Sequence, residues 1–342
     1  NPGTISQPWK TISHAQSYIR SWRPKGGLEG PVTVHVGAGM YELSSPLEFT
    51  AQDSGEMGKE ITYAGDAGAI VMAGSVVYPK VGSDGFATFQ VPGGAPPSGA
   101  TLVRSLFGAK DLERRPLAST PTLEYKSFNG SMMVVDWSTL NVSSAAELVD
   151  ADAYVYAHWT SDTSAVSSVD ATTGQITLAH PINSDWTKSA GNRYFLTNVA
   201  SSAALTPNTF SYSRSTHEIR YHPRSGEDPS QTGLLVPQMS EALRLVGNAT
   251  SGALVTDLVF KGLTIVGASG PMGPCEAKDA CSAQSAADTE TASVHMWGAE
   301  RVVMDNVTIR GTGSGYGLWV DSGSRDVTIS NSFLFDLGSG GI

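Results

Sequence analysis

Short alternations of apolar and polar residues recur near the end of the chain. The segment VVMDNVTIRGTGSG (302–315) returns as VTISNSFLFDLGSG (327–340). Each copy alternates with a period of two, which is typical of strands, and ends in Gly and Ser, which favour turns. Repeats with a period of about 25 residues indicate stacked units that bury their apolar face only against neighbours. The pattern therefore predicts an all-β fold, a right-handed parallel β-helix.

An earlier copy of the repeat extends this prediction towards the N-terminus. LVFKGLTIVGAS (258–269) precedes the 302–315 copy and aligns Ile265 with Ile309. These two copies lie further apart than one repeat period. The additional residues, from about 268 to 291, are expected to form a loop, since solenoids accept insertions on one outer face. The aligned Asn306 and Asn331 are expected to point inwards and to stack along the solenoid axis.

The first eighty residues are expected to begin the same solenoid. The segment PWKTISHAQSYIRSW (8–22) places Ile12, Ala15, Ile19 and Trp22 at helical spacing, which predicts an amphipathic helix. Such a helix, lying across the open first coil, protects its strand edges. Alternating segments that predict strands follow at 32–36, 46–50, 60–65 and 69–74.

The middle of the chain lacks the repeat period. Its alternating segments are separated by turn residues, which favours an antiparallel β subdomain inserted between earlier and later coils. These segments lie at 151–159, 174–179, 193–197 and 217–223. We therefore expect a cap helix and first coils over 1–99, the inserted subdomain over 100–240, and further coils over 241–342.

Composition narrows the classes of partner. The chain has 342 residues, of which 40% are hydrophobic and 16% charged, with a net charge of −10. This acidic average field disfavours nucleic acid and anionic membrane surfaces but not neutral sugars. No stretch approaches the roughly 20 apolar residues that cross a bilayer, so membrane insertion is not expected.

The ends of the sequence favour an extracellular protein. The sequence opens without a signal peptide and stops inside a repeat without a cap, so we expect a mature or partial chain of a secreted protein. Cys275 and Cys281 are expected to form a local disulfide, two unpaired thiols being the alternative. Glycosylation sequons occur at Asn129, Asn141 and Asn248. A fourth, at Asn306, conflicts with the inward orientation expected for that side chain.

The succession of segments resembles a known family over essentially the whole chain. The similar proteins are the mostly secreted right-handed parallel β-helix proteins around glycoside hydrolase family 141. The resemblance implies a β-helix with an inserted β domain that acts on a plant or algal polysaccharide, and it leaves the sugar open. It rests on NPGTISQPWKTISHAQSYIRS, GPVTVHVGAGMYELSSPLEFTAQDSG, ITYAGDAGAIVMAGS, VRSLFGAKDLERRPLAS and NRYFLTNVASSAALTPNTFSYSRSTHEIRYHPRSGEDP. The chain lacks the GEWY motif associated with these similar proteins, and its sequence stops before the position of their last coils.

One pair of strands is the best candidate for sugar binding. In VHMWG and GLWVD, alternation directs His295, Trp297, Trp319 and Asp321 outwards, and the spacing of the two segments places His295 beside Trp319. Sugar C–H faces stack on indole rings, so this face predicts a substrate platform. The alternative is that the tryptophans pack beneath the loop that contains the cysteines.

Glycoside hydrolysis needs two carboxyl groups about 5 to 9.5 Å apart. Carboxylates on neighbouring coils, about 4.8 Å apart, can meet this requirement without a sequence motif. We predict Asp321 and Asp336 as the catalytic pair, although an aspartate before glycine also caps turns. The scattered histidines do not predict a metal site, and no cofactor is expected.

Three functions are compatible with these patterns. The first is an extracellular glycoside hydrolase-like protein that binds and cleaves a polysaccharide in the solenoid groove. The second is a non-catalytic structural or adhesive β-helix, a surface fibre or coat component capable of self-assembly. The third, a polysaccharide lyase, needs a basic residue beside calcium, for which these coils offer little. A second carboxylate within hydrolytic distance of Asp321 or Asp336 distinguishes the first function from the second.

Overall fold

The structure is a computed structural model that describes residues 2–24, 26–96, 100–157, 160–182, 191–271, 283–284, 291–313 and 315–342. The chain divides into two compact units. The first contains Asn1–Ser75, Pro237–Gly270 and Thr291–Ile342, and the second contains Val76–Val236 and Pro271–Glu290. The sequence analysis began the inserted segment at residue 100, whereas the second unit already includes Val76. No helix among the described residues is long and apolar enough to span a membrane.

Strands dominate the described residues. The α-helices in the described part of the chain are α1 (Ile12–Trp22) and α2 (Pro229–Thr232), and short 3-10 helices occupy Ala51–Asp53, Pro92–Gly94, Trp137–Thr139 and Ala145–Leu148. The strands before the middle of the chain are β1 (Val32–Val36), β2 (Gly39–Glu42), β3 (Leu47–Thr50), β4 (Ile61–Gly65), β5 (Ala69–Met72), β6 (Gly74–Val77), β7 (Ala87–Gln90), β8 (Ser105–Gly108), β9 (Arg114–Pro116), β10 (Leu123–Phe128) and β11 (Met132–Val135).

The remaining strands continue in chain order. They are β12 (Asp152–Tyr156), β13 (Thr160–Asp170), β14 (Gln175–Leu178), β15 (Arg193–Thr197), β16 (Phe210–Tyr212), β17 (Glu218–Tyr221), β18 (Leu234–Pro237), β19 (Leu243–Val246), β20 (Val255–Thr256), β21 (Leu258–Lys261), β22 (Thr264–Val266), β23 (Ala283–Gln284), β24 (Ala292–Trp297), β25 (Ala299–Glu300), β26 (Val303–Asp305), β27 (Thr308–Arg310), β28 (Tyr316–Val320), β29 (Thr328–Ser330) and β30 (Phe333–Phe335).

Among the described residues, the first unit contains three larger parallel sheets, which the chain visits in the same order each time, and a two-stranded parallel sheet of β20 and β25. Sheet A has the order β1-β4-β21-β26-β29, sheet B the order β2-β5-β22-β27-β30, and sheet C the order β3-β19-β24-β28. We call one passage through sheets A, B and C a round. The second unit's two segments both interrupt rounds between sheet B and sheet C, after β5 and after β22.

The observed registers are those predicted from the repeat. Met304 pairs with Ile329 between the last two copies, and Ile265 pairs with Ile309 between the earlier copy and the next. The inward side chains of the three sheets form one apolar core. At its centre the rings of Phe49, Tyr63 and Phe260 contact one another, with centroids 5.1 to 5.7 Å apart.

The turns between sheets repeat a left-handed backbone conformation. Asn306 and Asn331 follow β26 and β29 with φ of 53° and 49°, and the preceding round has Gly262, φ 68°, at this position. Asparagine adopts this conformation more readily than other non-glycine residues. Both asparagines are exposed, so the predicted inward asparagine stack is wrong. Their alignment reflects the backbone of the turn.

Helix α1 packs on the first round, as its amphipathic pattern predicted. Its buried residues are Ile12, Ala15, Gln16 and Ile19, whereas Trp22 is 48% exposed and lies outside the stripe. Gln16 Nε2 donates to the Glu48 carbonyl at 2.6 Å. Because β3 is the edge strand of sheet C, this bond satisfies a carbonyl that faces no further strand.

The second unit contains a closed antiparallel sheet. Strands β12, β15, β10, β11, β14 and β13 pair in that order, and β12 also pairs with β13, which closes the ring. An apolar core that includes Met133, Ile176, Tyr194 and Leu196 fills it. Further antiparallel pairs join β16, β17 and β7, and β18, β8 and β9.

Candidate active site

Sheet C carries the candidate site on its outward face. Leu243, Val294 and Leu318 pair across β19, β24 and β28 and are fully or nearly fully buried. The residues that follow them therefore point away from the core. The register aligns these outward residues in a row that crosses all four strands, which we call the first row: Glu48, Arg244, His295 and Trp319.

A second row lies further along the strands, on the same outward face. Thr50, Val246 and Trp297 pair across β3, β19 and β24. Asp321 directly follows β28, and its backbone N–H donates to the Met296 carbonyl at 2.8 Å. Asp321 therefore continues the second row beside Trp297, in the arrangement that the spacing of the two segments indicated.

His295 is the centre of the site. Its side chain is 5% exposed, and its two ring nitrogens approach two different carboxylates. Nδ1 lies 2.9 Å from Glu241 Oε1, within hydrogen-bond distance, and Nε2 lies 3.7 Å from Asp321 Oδ2. Nε2 is buried and has no hydrogen-bond partner among the described residues. A buried ring nitrogen without a hydrogen bond is costly, and the carboxylate oxygen that faces it is Asp321 Oδ2.

Two indole rings flank the imidazole. The Trp297 ring centroid lies 3.4 Å from that of His295 at an interplanar angle of 27°, and the Trp319 centroid lies 5.5 Å away at 28°. Tyr316 contacts Trp319 edge-on at 5.3 Å. Both tryptophans are half-buried, so part of each indole is accessible. The loop that was the alternative packing partner lies largely outside the described residues.

A charged cluster continues the site along the first row. Arg244 Nε lies 2.9 Å from Glu241 Oε2, and Arg244 Nη1 lies 3.4 Å from Glu48 Oε2. The Arg244 guanidinium also lies 5.7 Å from the Trp297 ring centroid. The side chain of Glu241 is 13% exposed, so this carboxylate sits below the surface between a guanidinium and an imidazole.

Hydrogen bonds keep Asp321 ionised. The backbone N–H of Ser322 donates to Asp321 Oδ1 at 2.5 Å, and the Ser322 hydroxyl donates to the same oxygen at 3.0 Å. The Ser322 backbone N–H, then the hydroxyl, His295 and Trp297 hold the pKa of Asp321 below its ordinary value, although partial burial opposes them. An ionised carboxylate suits a base or a nucleophile and not a proton donor.

Two carboxylates lie on opposite sides of the His295 ring. Glu241 and Asp321 approach opposite nitrogens of one imidazole, at 2.9 and 3.7 Å. Because the imidazole itself is about 2 Å across, these contacts set an upper limit of about 9 Å on the distance between the two carboxylate oxygens, which does not exceed the largest separation of about 9.5 Å known for glycosidase pairs.

Asp336 lies elsewhere in the first unit. It follows β30, in sheet B, with φ of 55°, and its carbonyl accepts from the Thr312 N–H at 3.3 Å. The register of sheet B aligns it with Gly267 and Gly311, which have φ of 84° and 62°. Asp336 thus occupies a left-handed turn position, and the structure does not bring it together with Asp321.

Glu241, Arg244 and Glu48 belong to the site but were not predicted from the sequence, and Glu241 was the hardest of them to find. It precedes β19, so strand alternation did not assign its side chain to the outward face. Finding it requires knowing that β19 pairs with β24, which aligns Arg244 with His295. The insertions between sheets B and C interrupt the repeat period at this point, which hides the pairing.

The other predicted modification sites are partly described. Asn129, Asn141 and Asn248 are exposed or half-buried at the surface, and glycosylation there stays a prediction. Cys275 and Cys281 lie outside the described residues. The part of the chain that the structure describes holds no group of three or more His, Cys, Asp or Glu side chains placed to bind a metal.

The second unit has a cavity of about 300 Å³. The buried Arg115 side chain lines it and donates to Asp111, Glu227 and Tyr221 at 2.9 to 3.0 Å. Arg224 Nη1 lies 3.2 Å from Asp111 Oδ2. These contacts pair Arg115 and Arg224 with Asp111 and Glu227, which is typical of a structural ion-pair network.

Comparison with known proteins supports the fold. No protein-family model and no curated protein matches the chain. A solved structure titled "Glycoside hydrolase" matches 99% of this chain and 72% of its own, with a TM-score of 0.75 and 17% identity. A complex of XylC with xylose (11% identity, 98% of this chain and 52% of that chain) has a TM-score of 0.43.

A third solved structure is a tailspike of Acinetobacter baumannii bacteriophage AP22 with capsular saccharide. It matches at 12% identity over 95% of this chain and 44% of its own, with a TM-score of 0.17. The last two scores are too low to establish a shared fold. The first shows that the chain has a mostly β, glycoside hydrolase-like fold, without showing membership of family 141.

Proposed function

We propose that this chain is a secreted right-handed parallel β-helix protein, related to glycoside hydrolase family 141, that binds and cleaves a cell-wall or algal polysaccharide. The β-helix is supported by three parallel sheets visited in the same order in every round and by the registers that the repeat predicted. The fold shared with a glycoside hydrolase supports the same proposal. The proposed substrate lies on the outward face of sheet C.

One observation carries the enzymatic part of the proposal. Glu241 and Asp321 approach opposite nitrogens of His295, and half-buried Trp297 and Trp319 adjoin them. In this proposal Asp321 is the base or nucleophile, because hydrogen bonds favour its ionised form. Glu241 is the second carboxylate, and the indoles bind sugar faces. Asp336 has no catalytic role here, since it lies at a turn of sheet B.

Reducing-end release from a panel of cell-wall and algal polysaccharides tests this function. We expect the wild-type chain to release reducing ends from at least one of them, and Asp321→Asn to lower kcat/KM by about 10²- to 10⁴-fold, the usual effect of removing such a group. Asp326→Asn is the matched control, because Asp326 is an exposed turn aspartate of the same chain.

The same panel, read for binding, separates the two main functions. Binding without any release of reducing ends contradicts the hydrolase and favours the structural or adhesive β-helix. Equal loss of activity in Asp321→Asn and Asp326→Asn contradicts the assignment of the site. Absence of both binding and release contradicts the carbohydrate function itself.

A further inference from the structure

We infer that the site on sheet C takes an uncharged glycan that lies across the four strands, and that Glu48, at the far end of the first row, excludes acidic sugars. This inference rests on the proposed carbohydrate function and adds to it the substrate class and the path of the chain. It makes Glu48 a residue that determines specificity.

The path follows from the register. Glu48, Arg244, His295 and Trp319 are aligned across β3, β19, β24 and β28. Neighbouring parallel strands are about 4.8 Å apart, so the row is about 14 Å long. An extended chain of pyranose units repeats at a distance similar to the strand spacing. A glycan that crosses the strands can therefore place successive sugars over successive residues of the row, whereas one that follows a strand leaves the row after one sugar.

The substrate class follows from the charges that face this path. Among the described residues of the two rows and Glu241, the carboxylates of Glu48, Glu241 and Asp321 face the guanidinium of Arg244. Arg20 of α1 also donates to the Glu48 carbonyl at 3.2 Å, and its charge is paired with Asp53 at 2.6 Å. Arg244 is already paired with Glu241 and Glu48, so its charge is neutralised within the protein. A sugar carboxylate in this path meets a net negative field, which repels it, while hydroxyl groups are accepted.

A second observation points to hydroxyl groups as the ligand. His295 Nε2 is buried, lacks a hydrogen-bond partner among the described residues, and lies 3.7 Å from Asp321 Oδ2. When the neutral imidazole donates from Nδ1–H to Glu241, Nε2 and Asp321 Oδ2 both accept hydrogen bonds; a sugar hydroxyl brings a proton for one of these acceptors, whereas a sugar carboxylate brings none.

The test uses three forms of the polysaccharide that binds tightest in the panel: the parent, a carboxymethylated derivative, and the methyl ester of that derivative. The ester has the bulk of the carboxymethyl group without its charge. For wild type in low salt, we expect the ester to bind within about threefold of the parent and the carboxymethyl form about tenfold more weakly than the ester. A high salt concentration should reduce this difference, since it screens exposed charges.

Glu48→Gln tests the path, with Glu42→Gln as the matched control on β2 of sheet B. We expect Glu48→Gln to recover about threefold of the lost affinity for the carboxymethyl form, measured relative to the ester in the same variant. Equal binding of the two derivatives by wild type overturns the substrate class. Equal behaviour of Glu48→Gln and Glu42→Gln overturns the path. If no polysaccharide of the panel binds, the proposed carbohydrate function fails together with this inference. The two outcomes above overturn only the inference and leave the proposed function standing.

Discussion

At the residue scale, the sequence revealed which positions align but not why. Asn306 and Asn331 were aligned by the repeat, and the structure explains the alignment by left-handed backbone in exposed turns. His295, Trp297, Trp319 and Asp321 were predictable, because strict alternation along two short strands fixes which side chains face outwards. Glu241 was not predictable, because its position depends on a pairing between strands separated by an insertion.

The hydrogen bonds around Asp321 predict the acid limb of the pH profile. Its pKa lies below the ordinary aspartate value of about 3.9, so a base or nucleophile at this position stays active to below about pH 4. Ser322→Ala removes one hydroxyl donor to the ionised form, which raises the pKa of Asp321 and moves the acid limb of kcat/KM to higher pH.

Ser330→Ala is the control for this measurement, because the Ser330 hydroxyl donates to Asp305 Oδ1 at 3.0 Å, outside the site. We expect its pH profile to coincide with that of the wild type. If Ser322→Ala leaves the acid limb of the kcat/KM profile unchanged, or moves it to lower pH, the role given to Asp321 is contradicted.

A buried turn aspartate predicts a pH-dependent stability. The side chain of Asp257 is 3% exposed and accepts two hydrogen bonds of 2.8 Å from Arg301. These hydrogen bonds are the main reason why the pKa of Asp257 lies below its ordinary value. Asp257→Asn keeps the left-handed turn and loses the charge. We expect a loss of about 1–3 kcal/mol in unfolding free energy at pH 7, because the guanidinium is one-third exposed.

The direction of the pH dependence follows from the lowered pKa. The stabilisation by Asp257 is complete above its unfolded pKa of about 3.9 and is lost as the pH falls through the lower native value. Urea unfolding should therefore show a difference between wild type and Asp257→Asn that shrinks from pH 7 to pH 3. Asp326→Asn, exposed in the same kind of turn, should stay within about 0.5 kcal/mol of wild type throughout. A difference that persists undiminished at pH 3 contradicts the ion-pair account.

At the element scale, the strands of the repeat could be predicted because each is stabilised by the same contacts as its neighbours. The predicted segment 32–36 coincides with β1, and the 302–315 copy contains both β26 and β27. Helix α1 was also predictable from its apolar spacing. Its full buried face was not, because Gln16 takes a buried position through a hydrogen bond to the edge strand, which apolar spacing does not reveal.

The aromatic centre of the first unit predicts a large loss of stability on truncation. Phe260 is 2% exposed and stacks on Tyr63 at 5.7 Å and 18°, while Phe49 meets it edge-on at 5.2 Å. Phe260→Ala should lower the unfolding free energy by about 3–5 kcal/mol, because it removes buried surface and leaves a cavity between rounds. Urea unfolding measures this loss.

Phe333→Ala is the matched control, because Phe333 is 66% exposed. We expect it to change the unfolding free energy by less than about 0.5 kcal/mol. Similar losses for the two variants would show that the three rings do not form the core of the first unit.

At the scale of the whole molecule, the sequence predicted an inserted antiparallel β region but not which of its strands pair with one another. The loss of the repeat period marked the region, because a break in a repeat is visible without knowing what replaces it. The closed ring of the second unit was not predictable, since it depends on pairings such as β12 with both β13 and β15. Alternation along one strand carries no information about such partners.

The insertions interrupt the rounds of the first unit close to the candidate site. Both depart from the rounds between sheet B and sheet C, after β5 and after β22, so the chain returns from inserted segments shortly before β19 and β24. These two strands supply Arg244, His295 and Trp297. The residues that give the site its chemistry therefore lie where the repeat is interrupted, and the repeat alone could not identify all of them.

The most direct test of the account is the crystal structure of Asp321→Asn with an oligosaccharide cut from the polysaccharide that binds tightest. The account predicts sugar density on the outward face of sheet C, with one ring on Trp319, a hydroxyl beside His295 Nε2, and the chain crossing the strands towards Glu48. Density elsewhere, such as in the cavity lined by Arg115, with sheet C unoccupied, would contradict it.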